Sequence, residues 1–368
     1  MKTVRRLLYR EIVVSVAFVA LAFLALFYFI DFVDRLDEVG RGGRTVWHVA
    51  LAALYELPTN FYELFPIAVL IGTIYALSRL AQSSEFTILR TSGLGPGRAL
   101  RMLAVLGVAF GTLTFVVGDF VAPRGERAAV VLESRFSGPL RVGGAGAWLK
   151  ERRLEHGVER SWSINIGGTS GSGHLEQLLL LEFDAEGRLA TRIAAERALV
   201  QDDGRWLLTK ATRTRWPTAG GAAQVGEDRH DSLVWTTTLE PDVVAAAVLP
   251  LATMTTLELY RYSAHLSDQE QAAQSHEIRF WKKALYPLAC LVMVALALPF
   301  AFLHARAGGV SLKVFGGVML GIAFVLLNNL AGHIGMLRDW APWAAAASPS
   351  GLFLLMSMAA FAWLVRYR

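Results

Sequence analysis

Apolar positions along the chain gather into three long runs, thin out over a mixed stretch from about residue 122 to 279, and gather again into three more. The runs cover residues 12–30, 64–80, 102–121, 284–303, 314–332 and 351–365. Uncharged stretches near the thickness of a bilayer core have few stable homes other than a spanning helix, whose backbone satisfies its own polar groups. The pattern therefore predicts an α-helical membrane protein with six transmembrane helices and one sizeable water-facing insert. The first run follows Lys2, Arg5, Arg6 and Arg10 as the core of a secretory signal does, but it is longer than such a core and no small-residue cleavage site precedes Asp31. It reads as a retained first helix.

Within the insert the period changes. Trp162, Ile164 and Ile166 alternate, and short apolar runs at 178–183 and 206–208 are separated by turns rich in Gly and Asp at 167–173, 184–187 and 202–204. Short strands at this spacing predict an antiparallel all-β domain, a sandwich or jelly roll. From residue 253 to 281 the pattern turns helical and mostly polar, a connector into the fourth span. The expected organisation is residues 1–123 for the first three helices, 124–252 for the β domain and 253–368 for the connector and last three helices.

Charge gives the orientation. Lys and Arg in short loops are held on the cytoplasmic side. The N-terminus, the loop with Arg90, Arg98 and Arg101, the loop with Arg306 and Lys313, and the tail with Arg366 and Arg368 share one side of a six-span arrangement. The opposite connections balance their cations with Asp31, Asp34, Asp37 and Glu38, or carry only Arg338 beside Asp339. Both termini are expected in the cytoplasm and the β domain outside it, in the periplasm of a bacterium with two membranes.

Composition agrees: 54% of residues are hydrophobic, 18% are charged and the mean hydropathy is +0.41, on the membrane side of soluble usage. The net charge of +5 does not mark a nucleic-acid binder, because the cations scatter over ends and short loops without interleaved aromatics. Cys290 stands alone in an apolar run, so no intrachain disulfide forms. Chemistry is sparse. The eight histidines make no spaced pair of the kind zinc uses, and no lysine follows a glycine as a phosphate-binding loop requires. Gly93, Gly95 and Gly97 follow an amphipathic segment where a dinucleotide fingerprint needs a strand. Asp31, Glu63 and Asp119 lie near span ends at loosely comparable depths, too dispersed for an embedded enzyme. No catalytic residue, metal or bound cofactor is assigned.

The loop between the second and third runs carries more information. Ser83 or Ser84 suits a helix N-cap, Glu85 favours the first turn and Gly93 closes the helix. Phe86 and Leu89 share a face, with Glu85 and Arg90 at its edges. Such a helix either packs on the chain's own helix ends and lipid or inserts into a cytoplasmic partner.

At this point the residues converge on a resemblance. Phe32-Val33-Asp34-Arg35-Leu36, Glu63-Leu64-Phe65-Pro66, the Ser84-Glu85 to Ser92-Gly93 loop, Val121-Ala122-Pro123 with Gly125-Glu126, Trp148 with Lys150, and Trp281-Lys282-Lys283 with Tyr286-Pro287-Leu288 recur in order along nearly the whole chain. Together they resemble the LptF/LptG permease family of lipopolysaccharide export, and its LptG branch more than its LptF branch. The resemblance implies six transmembrane helices around a periplasmic β-jellyroll, a homologous LptF-like permease sharing a cavity, and periplasmic bridge proteins like LptC and LptA. It also implies an LptB-like cytoplasmic ATPase dimer that carries ATP and Mg, while this chain carries neither. The coupling helix is then residues 84–93, with Glu85 and Arg90 as polar contacts, Phe86 and Leu89 as anchors and Gly93 as its end.

A lipopolysaccharide site needs apolar walls at membrane depth and cations near the outer surface. The first span offers Phe18, Phe23, Phe27, Tyr28 and Phe29, and the fifth offers Phe315, Phe324 and Leu327 beside Asn328 and Asn329. These two helices are expected to line the cavity and its lateral gates; the alternative is that the aromatics face lipid or neighbouring helices. Two adjacent amides within a span need partners. Where some relatives place lysines at the outer end of the first helix, this chain has Asp31, Asp37 and Glu38, which leaves Arg35 as the local cation and Arg41, Arg44 and Arg135 as alternatives. A permease for another amphiphile such as a lipoprotein shares every one of these features except the substrate, and a membrane scaffold without transport would need no ATPase.

Overall fold

The structure is a computed structural model that describes residues 2–82, 96–137, 140–141, 146–155, 158–169, 174–201, 204–217, 225–239, 241–248, 253–268, 274–302 and 309–366. It divides into two compact units, one of residues 1–37, 49–126 and 277–368, the other of 38–48 and 127–276.

The first unit is helical. It contains α1 (Lys2–Asp34), most of α2 (Val46–Gln82), α3 (Pro96–Val116), a π turn at Val117–Val121, the first residues of α4 (Ala122–Ser137), nearly all of α7 (Gln274–Phe302), α8 (Val310–Leu337) and α9 (Pro342–Arg366). Among the described residues six helices are long and apolar enough to cross a membrane. Each extends past its apolar run, α2 most of all: it starts at Val46 rather than near residue 64 and passes through Pro58 and Pro66. Its first half carries Glu56, Asn60 and Glu63, which mask the apolar pattern. The chain supplies partners for two of them: Glu56 pairs with Arg35, and Asn60 Nδ2 donates to Asp31 Oδ2 at 2.7 Å.

Leu8, Ile12, Val16 and Ala20 recur every four residues on α1 and bury one stripe of it against α2. The two helices approach closely. A Cβ built at Gly72 would stand 2.6 Å from Val16 Cα. Gly107 and Gly111, four apart on α3, face Leu291 and the Pro287 carbonyl of α7, with hypothetical Cβ distances of 3.0 and 2.8 Å. In lipid, where hydrophobicity does not drive helices together, such small-residue faces let dispersion and backbone contact do so. Cys290 is buried in this core with its Sγ 3.2 Å from Thr114 Oγ1.

The second unit holds β1 (Leu140–Arg141), β2 (Ala147–Glu155), β3 (Val158–Thr169), β4 (Leu175–Phe183), β5 (Leu189–Val200), β6 (Arg205–Arg215) and β7 (Gly226–Thr236), followed by α5 (Pro241–Val248) and α6 (Thr256–Asp268). The expected jellyroll-like insert is realised as an antiparallel meander, in which β2 to β7 pair with their neighbours in sequence and the short β1 extends the edge beside β2. The alternation at Trp162, Ile164 and Ile166 is the buried face of β3. Gly167 and Gly168, expected in a turn, instead continue β3, because a glycine at 167 leaves room for the Gln177 side chain. The Asp184–Gly187 turn is present, with Gly187 at φ 75° and the Asp184 carboxylate accepting from the backbone of Glu186 and Arg188.

The sheet curls strongly. A flat sheet would hold β3 and β7 about 19 Å apart, yet the rings of Trp162 and Trp235 lie 5.4 Å apart and Trp206 lies 5.2 Å from Trp235. Arg153 lies over both Trp162 and Trp235, a cation on two aromatic faces. Its guanidinium grips the Glu151 carboxylate with two bonds of 2.8 and 2.6 Å. Burial pushes the Glu151 carboxyl up, but the bonds from Arg153 and from the Thr238 side chain and backbone outweigh it, so the group sits below its ordinary value.

Candidate substrate wall and its flanking charges

The two helices expected to line the cavity are the two that the chain covers least. In the most apolar stretch of α1, and again in that of α8, 22% of residues are buried, against 78% for α2. On α8 the exposed residues Leu312, Phe315, Met319, Ile322, Leu326 and Leu330 recur at intervals of three or four and form a continuous apolar stripe. Its opposite face packs on α2, where Cβ atoms at Gly317 and Gly321 would stand 2.6 and 2.7 Å from Ile74 and Ile67. The helix is therefore fastened along one side and bare along the other.

The aromatic residues of the sequence reading fall on different faces. Phe29 is exposed, as is Phe18 a few turns earlier. Phe23 and Phe27, four apart, are half-buried, and Phe23 packs against the bundle core. Phe324 is 2% exposed and meets Phe353 of α9 edge-on at 5.3 Å, so it builds the interior of this chain rather than its bare face.

Asn328 is half-buried and Asn329 exposed toward the C-terminal end of α8. Among the described residues neither side-chain amide makes a hydrogen bond; their backbone carbonyls do, Asn328 accepting from Lys282 Nζ at 2.6 Å and Asn329 lying 2.8 Å from His333 Nδ1. Lys282 thus reaches from α7 to the amide pair, and its neighbour Lys283 lies 3.9 Å from Asp119 in the π turn. An extra residue per turn in a helix re-aims the side chains that follow. The Asp119–Lys283 pair and Lys282 were not assigned to the site from sequence. The signal that finds them is the pair of adjacent lysines immediately before the fourth predicted span, where a helix entering the membrane demands partners for them.

Arg35 is half-buried and engaged by Glu56. In the second unit Arg44 pairs with Glu38 and lies over the Phe136 ring. Arg41 and Arg135 are exposed and, among the described residues, have no ion-pair partner. They are near neighbours, because the turn at Gly42 abuts the Phe136 carbonyl, where a Cβ would come within 2.7 Å. Glu85, Phe86, Leu89, Arg90 and Gly93 lie outside the described residues.

Bare apolar helix faces and small-residue packing describe a chain whose helices meet lipid or protein within a membrane. The sequence profile described as lipopolysaccharide export system permease LptF/LptG matches residues 6–366. The chain belongs to the LptF/LptG family. It is similar to the lipopolysaccharide export system permease protein LptG of Escherichia coli strain K12, with 26% identity over 332 residues that cover 89% of each chain. The protein of the same name from Haemophilus influenzae strain KW20 is 25% identical over 333 residues, again 89% of each chain. An LptF/LptG chain with six apolar helices is a multi-pass membrane protein, and the all-β insert between its third and fourth spans agrees with the fold class read from the sequence.

Proposed function

We propose that this chain is one transmembrane permease subunit of an exporter that withdraws lipopolysaccharide from the bacterial inner membrane and passes it to periplasmic bridge proteins. A separate cytoplasmic ATPase dimer supplies the energy, holding ATP and Mg; this chain supplies a moving wall and performs no catalysis. The observation that carries the reading is the shared bareness of α1 and α8, which, among the six described spans, bury the smallest share of their most apolar stretch, 22% each against 28% for α9 and 33% for α3. A homologous permease facing them would enclose an apolar cavity sized by two half-walls, with α1 and α8 as the lateral gates. The amides of Asn328 and Asn329, without hydrogen-bond partners among the described residues, give that wall polar contacts where acyl chains give way to a sugar and phosphate head.

The termini face the cytoplasm and the β unit the periplasm, as the distribution of Lys and Arg favours. Arg35 is neutralised by Glu56, so the cations with charge to spare for lipopolysaccharide phosphates are Arg41 and Arg135. Residues 84–93, which lie outside the described residues, would engage the ATPase, with Glu85 and Arg90 as polar contacts, Phe86 and Leu89 as apolar anchors and Gly93 at the segment's end.

The test is to co-express the chain with the homologous permease and the ATPase, purify through a tag on this chain and measure ATP hydrolysis with and without lipopolysaccharide. A three-component complex stimulated by lipopolysaccharide, and weakened by Glu85→Ala and by Asn328→Leu/Asn329→Leu, is the expected result. A complex that responds instead to a lipoprotein overturns the substrate, and a chain that purifies alone overturns the exporter.

A further inference from the structure

Arg5, Arg6 and Arg10 of α1 and Arg101 of α3 rim one open depression of about 950 Å³. Tyr9, Val13, Met102 and Val105 complete its lining, with Val13 and Val105 exposed to it as apolar surface. As first and third spans, α1 and α3 enter the membrane from the same side, so their basic starts lie at one membrane–water boundary. Tyr9 Oη donates to the Met102 carbonyl at 3.0 Å and fastens the two helices where the cations give way to hydrocarbon. Val13 lies two turns beyond Arg5, about 12 Å along the helix axis. All four arginines are exposed, and among the described residues none has an ion-pair or hydrogen-bond partner.

We propose that this depression binds an anionic glycerophospholipid, its phosphate held among the four guanidinium groups and an acyl chain laid over Val13, Met102 and Val105. Guanidinium forks match phosphate oxygens, and basic pockets between spans on the cytoplasmic side suit lipid head groups. Four like charges at one low-dielectric rim repel one another, and a phosphate relieves that repulsion. A zwitterionic lipid brings its own cation to the rim and relieves less. The leaflet assigned, the cytoplasmic one, rests on the orientation proposed above. On that reading lipopolysaccharide enters from the opposite leaflet and is not the ligand.

The test is native mass spectrometry of the full chain in micelles offered dioleoylphosphatidylglycerol, dioleoylphosphatidylcholine or inorganic phosphate. The phosphatidylglycerol is expected to be retained about tenfold more than the phosphatidylcholine. That preference should collapse in R5Q/R6Q/R10Q/R101Q and survive in Arg366→Gln, which removes a cation at the same boundary outside the depression. Val13→Trp, which fills the depression without changing charge, should lower phosphatidylglycerol retention in a chain whose rim is intact. Equal retention of the two lipids, a preference that survives the quadruple substitution, or inorganic phosphate bound in place of lipid would each overturn the site. A C-terminal alkaline phosphatase fusion tests the orientation separately: activity in the periplasm would overturn the leaflet while leaving the lipid preference to be judged on its own.

Discussion

The carboxylate of Glu151, on the first long strand of the sheet, accepts hydrogen bonds of 2.7 and 2.5 Å from the backbone N and Oγ1 of Thr238, just past the last strand. Thr237 Oγ1 donates to the same group at 2.9 Å. The two edges of the curled sheet are thus joined by a side chain where a closed barrel would use a ladder. A buried carboxylate is tolerated in that position only because every lone pair is occupied.

Glu151→Ala should therefore destabilise the β unit by about 3 kcal/mol, since it leaves the largely covered Arg153 without its counter-charge and the Thr237 and Thr238 donors without an acceptor. The lowered carboxyl value adds a pH signature. The stabilisation is complete above the ordinary glutamate value and is lost as pH falls through the lowered one, so the wild-type unit should weaken below about pH 4. Tryptophan fluorescence during urea titration at stepped pH checks both points. Glu151→Gln should show a smaller acid dependence.

Close helix crossings predict a sharp ranking among glycines. Gly72→Leu and Gly111→Leu each place atoms where Val16 or the Pro287 carbonyl already stands, and should cost about 2 kcal/mol or more. Gly351→Ala meets nothing within 4 Å and should leave the detergent-solubilised melting temperature unchanged.

Thr255 and Glu258 cap α6 reciprocally, the Glu258 N–H donating to Thr255 Oγ1 at 3.2 Å and the Thr255 N–H to Glu258 Oε2 at 2.7 Å. Arg127 adds two bonds of 2.7 Å to the same carboxylate. Burial raises the Glu258 carboxyl, and the Thr255 and Arg127 bonds more than reverse it. Glu258→Gln keeps the cap and loses the charge, so its cost should be about 1 kcal/mol at neutral pH and shrink as pH falls through the lowered Glu258 value, whereas Glu258→Ala should cost about twice that at neutral pH. Chemical denaturation of the two variants at neutral and acidic pH separates the contributions.

Lys283 and Asp119 should behave as a unit. Either Asp119→Asn or Lys283→Met leaves a charge inside the helical unit, while the double substitution leaves neither. The double variant is expected to be more stable than the sum of the single effects predicts, by about 1 kcal/mol. Strict additivity would show that the pair contributes through other neighbours.

The architecture was legible because its two periods differ so plainly: long apolar runs for the spans, and alternation such as Trp162, Ile164, Ile166 for the sheet. Helix starts were less so. The polar first half of α2 reads as a loop until Arg35 and Asp31 are seen to serve Glu56 and Asn60, and those pairings join residues more than twenty positions apart. Aromatic content was a poor guide to the wall. Phe324 and Phe315 are equally apolar in sequence, but only the angle around α8 tells which one is buried. Arg35 was singled out by position, and its neutralisation by Glu56 is a tertiary fact that no local pattern carries.

The burial of Cys290 beside Thr114 has a practical consequence. To a water-soluble thiol reagent the folded protein is a blank, so nothing natural has to be removed before a label is introduced. A cysteine at Phe29 or Leu330, both on bare helix faces, would then carry the chain's one reactive spin label. Paired with a second label on a neighbouring subunit, it would read the width of the gate as a distance distribution through each stage of nucleotide turnover.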